Sequence, residues 1–266
     1  MTTSESTRSH HPIGHDLVGS GPLPVVVLND WLCDTSTWDG ARAYLDGARF
    51  TYAFADLRGY GRSRARSGAF DVAEAAADVI DLADAHGWER FAIVGHSMST
   101  LVALHLAQHH ADRITHVIVL TPPPPTGFGA DEATLDGIRT FARGDDAMRA
   151  SVFANRFGDR LSPGWAAYKA ARWRASADPE AASAYAAMFA RDGLPDPTAR
   201  IAVPVLAITG EHDAEPMRSA AVTRALSPLC DRLTVVAFAD SGHYPMQETP
   251  PLLVAHVERF LSGATG

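Results

Sequence analysis

The chain has 266 residues, of which 46% are hydrophobic and 20% charged, the proportions of a water-soluble globular protein with room for a large core. A formal net charge of −8 denies it the basic footprint that nucleic-acid binding needs, and its apolar runs are of strand length, which leaves no candidate membrane span. Cys33 and Cys230 are isolated, so neither a disulfide framework nor a Cys-x-x-Cys metal site is available, and a reducing cytoplasm is the expected compartment.

Residues 1–22 are polar at their start and lack the apolar region of a secretory signal; they read as a flexible lead-in. Strand patterns follow near 24–29 and 50–55. The second runs into Asp56-Leu-Arg-Gly-Tyr-Gly-Arg-Ser63, a turn that lacks the later glycine and capped helix of a phosphate loop and so reads as structural. A helical pattern over 72–86 leads to an apolar strand at 91–95 and a second helix over 98–110. Between these two lies Gly95-His-Ser-Met-Ser99. A serine on a tight strand-to-helix turn displays its hydroxyl above the sheet and offers the next backbone N–H, that of Met98, to an oxyanion. Ser99 stands where the G-x-S-x-G pattern has glycine, but it is small enough for the turn. The competing reading of Ser97 is a helix N-cap.

After a strand at 114–120, Thr121 and four prolines lead into several helices over about 131–195, closing at Leu194-Pro-Asp-Pro. The sheet resumes at 203–209 and is followed by Gly210-Glu-His-Asp213. A helix near 216–227, a strand near 232–238, the segment Ser241-Gly-His243 and a helix over 250–262 complete the chain. This alternation predicts an α/β fold with a mainly parallel, doubly wound sheet. A nucleophilic serine needs a base, and in this architecture the order is serine, acid, histidine, which selects Ser97, Asp213 and His243. Glu211 competes with Asp213 for the acid position, and a solvated loop acid or loop histidine is the non-catalytic alternative. The acid would accept the histidine N–H, fix its tautomer and stabilise the imidazolium.

On Gly95-His-Ser-Met-Ser, Asp56-Leu-Arg-Gly-Tyr-Gly-Arg-Ser, Gly210-Glu-His-Asp and Ser241-Gly-His, the chain from about Pro24 to Phe260 resembles the α/β-hydrolase fold superfamily. The resemblance implies a core over 23–126 and 197–266 and a helical cap over 127–196. It also places an oxyanion loop after the first long strand, where Asn29-Asp30-Trp31 replaces the usual His-Gly and the Trp31 N–H would join that of Met98. Asn and Asp tolerate left-handed backbone, and Asp30 is expected to bond its own loop backbone rather than take part in chemistry. The expected pocket lining is Asp30, Trp31, His96, Phe153, Trp165 and Tyr244. Phe141, Met148, Phe157, Tyr168, Trp173, Tyr185, Met188 and Phe189 complete an apolar cap inventory that mostly packs helix on helix. Arg143, Arg149, Arg156, Arg160, Arg172, Arg174 and Arg191 read as a solvated face, with one inward arginine able to clamp a carboxylate.

The expected activity is serine hydrolysis of a small to medium, largely apolar ester or lactone, with no cofactor and no metal. Adjacent pairs such as His10-His11 and His109-His110 point to different sides of an element and make poor ligand sets. The same frame supports carbon–carbon bond hydrolysis, perhydrolase or haloperoxidase chemistry and cofactor-independent dioxygenation, for which a Trp in the oxyanion loop is a point of similarity. The elbow and Cys33-Asp-x-Ser-x-Trp38 also resemble bacterial stress-pathway activator hydrolases and the plant strigolactone and karrikin receptors, which implies a slow, ligand-sensing alternative. The expected partner is a small-molecule substrate, with no nucleic acid and no membrane, and the assembly a monomer or homodimer.

Overall fold

A computed structural model describes residues 11–157 and 160–263, apart from the side chains of 155 and 156. Seven strands form one sheet: β1 His15–Val18, β2 Leu23–Leu28, β3 Phe50–Ala55, β4 Phe91–His96, β5 Ile114–Leu120, β6 Val205–Gly210 and β7 Leu233–Phe238. The spatial order is β1-β3-β2-β4-β5-β6-β7, with every pair parallel except β1 on β3. Of the lead-in expected over 1–22, residues 1–10 lie outside the described residues and the remainder requires correction: β1 pairs His15 with Ala55 through to Val18 with Tyr52. Four residues with a polar start carry too little periodicity to announce an edge strand.

The inner strands of the sheet are buried on both faces, while β1 and β7 at its edges are partly exposed, and the period of two sorts the side chains. Val26, Leu28, Ala53, Ile93, Val119 and Ala207 pack on one face with α2 (Val72–Ala85), α3 (Ser99–His109) and α8 (Ser219–Leu226). Val25, Val27, Phe54, Val94, Ile118 and Ile208 pack on the other with α1 (Asp39–Arg42) and α10 (Pro250–Leu261). Fully burying each such aliphatic side chain contributes about 1.5–3 kcal/mol, so the strands nearest the site are also the most strongly held.

Between β5 and β6 the chain forms α4 (Glu132–Ala142), α5 (Asp146–Phe157), α6 (Pro163–Ser176) and α7 (Pro179–Ala187), the last running into a π-turn over Met188–Asp192. Local chemistry sets the starts. Asp131, Ser162 and Asp178 each accept a backbone N–H of the first turn, and Pro163 and Pro179 occupy positions where a missing N–H is harmless. A short α9 (Pro245–Glu248) precedes α10. Among the described residues no helix is long and apolar enough to cross a membrane.

Candidate active site

Ser97 lies between β4 and α3 with a φ of 52°, a left-handed conformation that costs a non-glycine residue about 1–3 kcal/mol and is held only where its surroundings enforce it. Its N–H donates to the Leu120 carbonyl at 2.9 Å. A Cβ at Gly95 would lie 2.6 Å from the Ser99 carbonyl oxygen, so only glycine lets strand and helix approach this closely. Ser99 does more than fit: its hydroxyl accepts the His96 N–H at 2.9 Å and donates to the His96 carbonyl at 3.0 Å, bracing the turn from inside.

The β6 and β7 loops are brought together by a second close approach. A Cβ at Gly210 would fall 2.1 Å from the Gly242 carbonyl oxygen, and the His212 N–H donates to the Ser241 carbonyl at 3.0 Å. Asp213 is thereby delivered to His243, whose Nδ1 lies 2.6 Å from Asp213 Oδ2. Glu211 turns away and accepts the Ser219 N–H at 3.2 Å, at the start of α8. Glu248 of α9 accepts the N–H groups of Gly242 and Tyr244, each at 2.8 Å, and so fixes the backbone on either side of His243. Ser97 and His243 line one cavity of about 490 Å³. No hydrogen bond joins their side chains among the described contacts; such bonds commonly tighten only with substrate in place.

The loop after β2 departs from expectation. The left-handed residue is Leu32, with φ 69°, not Asn29 or Asp30. Asn29 donates to the Ala55 carbonyl at 3.0 Å, tying the loop to β3, and Asp56 accepts the Thr35 N–H at 2.9 Å and the Arg62 N–H at 3.1 Å, which gives the glycine-rich turn its structural role. The backbone N–H groups of Trp31 and Met98 have no acceptor among the described residues, as oxyanion donors require. The Trp31 indole walls the cavity, packs on Phe141, Trp173 and Phe189, and donates to the Ala182 carbonyl at 2.8 Å, which anchors the loop to α7.

Asp30 does not bond its own loop backbone. It is buried in the cavity wall beside His96, Cys33 and Lys169. Burial opposes its charge, yet His96, Lys169, His243 and a hydrogen bond from the Cys33 thiol hold its carboxyl below the usual carboxylate range. Lys169 is also buried; its Nζ lies 3.1 Å from Cys33 Sγ and 4.0 Å from the centre of the Tyr244 ring. Burial works against this ammonium too, but Cys33 and Asp30 keep its pKa above the ordinary value, while burial and Asp30 push the Cys33 thiol up to about 12. Sequence reasoning missed this cluster. The available signal was that Lys169 is the sole lysine and falls four residues from Trp165 and from Trp173, on one face of α6.

Of the expected lining, Asp30, Trp31, Phe153 and Tyr244 face the cavity, as do Phe128, Ile138, Phe141, Trp173 and Phe189. His96 and Trp165 do not. His96 is fully buried behind the wall, with its Nε2 2.7 Å from the His243 carbonyl oxygen, and burial pushes its pKa down to about 4. Trp165 donates from its indole to Gln247 at 3.0 Å and packs on Phe157 and Tyr244. No arginine lines the cavity among the described residues: Arg143 meets Glu180, Arg149 meets Asp146 and the Trp173 ring, Arg160 meets Glu248, Arg172 meets Asp34, Arg174 meets Asp146 and Arg191 meets Glu132. The Arg156 side chain lies outside the described residues.

A putative non-heme chloroperoxidase from Synechocystis sp. is 26% identical over 233 residues, covering 80% of this chain and 82% of that protein. A 2-heptyl-3-hydroxy-4(1H)-quinolone dioxygenase from Mycobacteroides abscessus is 36% identical over 147 residues, about half of either chain (53% and 54%). The solved enol-lactonase from Burkholderia xenovorans LB400 superposes with a TM-score of 0.78 at 25% identity, covering 94% of this chain and 96% of that one. The sequence profile described as alpha/beta hydrolase fold matches residues 24–250, and with this sheet and these strand-end loops the chain belongs to the α/β-hydrolase fold family.

Proposed function

We propose that the protein is a serine hydrolase that cleaves a neutral, largely apolar carboxylic ester or lactone through an acyl-enzyme, with Ser97, Asp213 and His243 as its catalytic residues. The observation that carries the reading is the 2.6 Å contact between buried Asp213 and His243 Nδ1, which positions a ring that lines the same cavity as Ser97. Rotation of Ser97 toward His243 Nε2 completes the relay. The Ser97 oxygen attacks the carbonyl carbon as its proton passes to His243, and the N–H groups of Met98 and Trp31 hold the oxyanion. His243 then protonates the departing alkoxide. Water, deprotonated by the same imidazole, clears the acyl group and restores the serine. The carboxylate of Asp30 lines the same cavity as Ser97, and the Lys169 ammonium, which favours its charge, offsets its repulsion of an oxyanion there.

The neutrality of the substrate follows from the wall. Its lining carries aromatic and aliphatic groups and, as its charged member, Asp30, so a substrate carboxylate would enter against like charge with no arginine among the described residues to receive it. The fold shared with an enol-lactonase supports the lactone reading. Hydrogen peroxide in place of water on the same acyl-enzyme would give a peracid, and the Synechocystis relative favours testing it. Dioxygenation is ranked below both, because Thr121 occupies the position after β5 where those enzymes are expected to carry the acid; here the Thr121 hydroxyl donates to the His243 carbonyl at 3.3 Å.

The test is labelling with a fluorophosphonate, followed by turnover of neutral aryl esters and lactones and of their carboxylate-bearing analogues. Labelling at Ser97, lost in Ser97→Ala, with multiple turnover of neutral substrates, is the expected result. Wild-type turnover in Ser97→Ala would overturn the mechanism.

A further inference from the structure

At the cavity wall three hydrogen-bond acceptors converge, two of them buried and without a partner. The His96 ring is fully buried, and its Nε2 sits 2.7 Å from the His243 carbonyl oxygen, which only accepts; Nε2 therefore carries the proton and Nδ1 presents a lone pair. That Nδ1 has no hydrogen-bond partner, and neither does Asp30 Oδ1, 3.8 Å away. His243 holds Asp213 through Nδ1, which leaves Nε2 as its open atom. One ligand atom from each of Asp30, His96 and His243 lies within 4.8 Å of the other two. Buried acceptors left unpaired are uncommon, and a carboxylate with two imidazoles is a donor set suited to a borderline divalent ion.

We propose that Asp30, His96 and His243 bind a divalent transition-metal ion of the zinc type, with an open coordination position toward the cavity, and that the ion acts as a reversible inhibitor. Zinc bonds of about 2.0–2.2 Å in a tetrahedral site bring ligand atoms roughly 3.3–3.5 Å apart, so the three groups must draw in by about 1 Å, within reach of rotamer adjustments at Asp30 and His243. Asp30 supplies the negative charge. The Lys169 ammonium also acts on Asp30 and weakens the hold on any cation, so the site takes one ion at most, while Cys33 stays a protonated thiol and takes no part. The other close histidine pairs, His15 with His86 and His105 with His109, are not part of a three-ligand set among the described residues. Inhibition follows because the metal takes the His243 lone pair that must receive the Ser97 proton; this consequence rests on the serine-hydrolase reading, whereas binding does not.

Titration with Co2+, read by its visible ligand-field absorption and by competition with Zn2+, tests the site directly. Wild type and Ser97→Ala should bind one ion equally, with the intense spectrum of a four-coordinate centre. Asp30→Asn, His96→Gln and His243→Gln, each first shown to be folded by circular dichroism, should each bind at least tenfold more weakly, and Zn2+ should slow wild-type ester hydrolysis until a chelator removes it. Wild-type binding in all three ligand variants, or no binding by the wild-type protein, would overturn the proposal. Absence of ester hydrolysis would instead strike the serine-hydrolase reading, with the cobalt spectra still deciding the metal site.

Discussion

The loops after β4, β6 and β7 and the loop after β2 serve the same cavity from the carboxyl ends of a parallel sheet, but they are built differently. In the first group the contacts are short in sequence or pair loop with loop: Ser99 braces His96, Glu248 holds Gly242 and Tyr244, and Asp213 meets His243. In the second, Asp30, Trp31 and Cys33 depend on the helical insertion. Trp31 donates to Ala182, and Lys169 reaches Cys33 across 136 positions of sequence. Motif geometry in one region is held mainly by its own loops, with Arg160 on Glu248 and Trp165 on Gln247 as contacts from the insertion, while the other holds a buried charge whose compensation comes from a distant helix.

The sharpest way to break the first half of this contrast is Asp213→Asn. An amide at 213 leaves the packing intact but pairs with the wrong tautomer of His243, so turnover should fall by about ten-thousandfold with little change in melting temperature. Steady-state kinetics and a thermal melt check both halves of the statement. A loss of less than tenfold would mean that His243 is oriented chiefly by the contacts of its carbonyl to His96 and Thr121 and by the hold of Glu248 on the Gly242 and Tyr244 N–H groups.

The second half is tested at Lys169. Replacing it with methionine keeps the volume and removes the ammonium, leaving Asp30 ionised and buried; losing one partner of such a pair costs about 3–5 kcal/mol. For a chain of this size the melting temperature should drop on the order of 10 °C. Adding Asp30→Asn to Lys169→Met should restore most of that loss. If the two changes are simply additive, the charges are not coupled.

The same contrast explains what could be read from the sequence. The positions of Ser97, Asp213 and His243 were legible because each lies past an apolar strand and within three residues of a glycine, and at Gly95 and Gly210 the backbone approach leaves no room for a Cβ. The helical character of the insertion was legible over about 131–195, but its separate helix starts, capped at Asp131, Ser162 and Asp178, were not. What failed was orientation. His96 flanks the nucleophile, yet its ring turns inward beneath His243, and the face shared by Trp165, Lys169 and Trp173 could be read without knowing how α6 is rotated. The structure sets Trp173 on the cavity and Trp165 against Gln247. Asp30 was misjudged for a related reason: an Asx-type turn is a local default, and apart from the Cys33 thiol the groups that act on Asp30 lie at positions 96, 169 and 243.

Acid tests the join between the two regions. Burial depresses His96 to about 4, against an ordinary value of about 6.5 in the unfolded chain, so between those limits the unfolded state holds a proton that the folded state lacks. Stability is unaffected by this group above about pH 6.5 and falls as the pH drops toward 4, by up to about 1.4 kcal/mol per pH unit. Urea unfolding at pH 7 and pH 5 should show the loss, and His96→Gln, whose amide can still donate to the His243 carbonyl, should reduce the slope by nearly one proton. An unchanged slope would show that His96 is not the group taking up the proton.

The smallest expected effect lies inside the elbow. Ser99 occupies the position where glycine is usual, and its hydroxyl makes two bonds to the His96 backbone. Ser99→Ala removes both and leaves a buried N–H and carbonyl without that partner, a loss of about 1–2 kcal/mol and a few degrees of melting temperature. The φ of Ser97 is imposed mainly by the Gly95 approach and the Leu120 contact, which the alanine leaves in place, so fluorophosphonate labelling should proceed at close to the wild-type rate. A labelling rate that collapsed with Ser99→Ala would make the hydroxyl a positioning group for Ser97, and the first region would then depend on a side chain that the glycine pattern lacks.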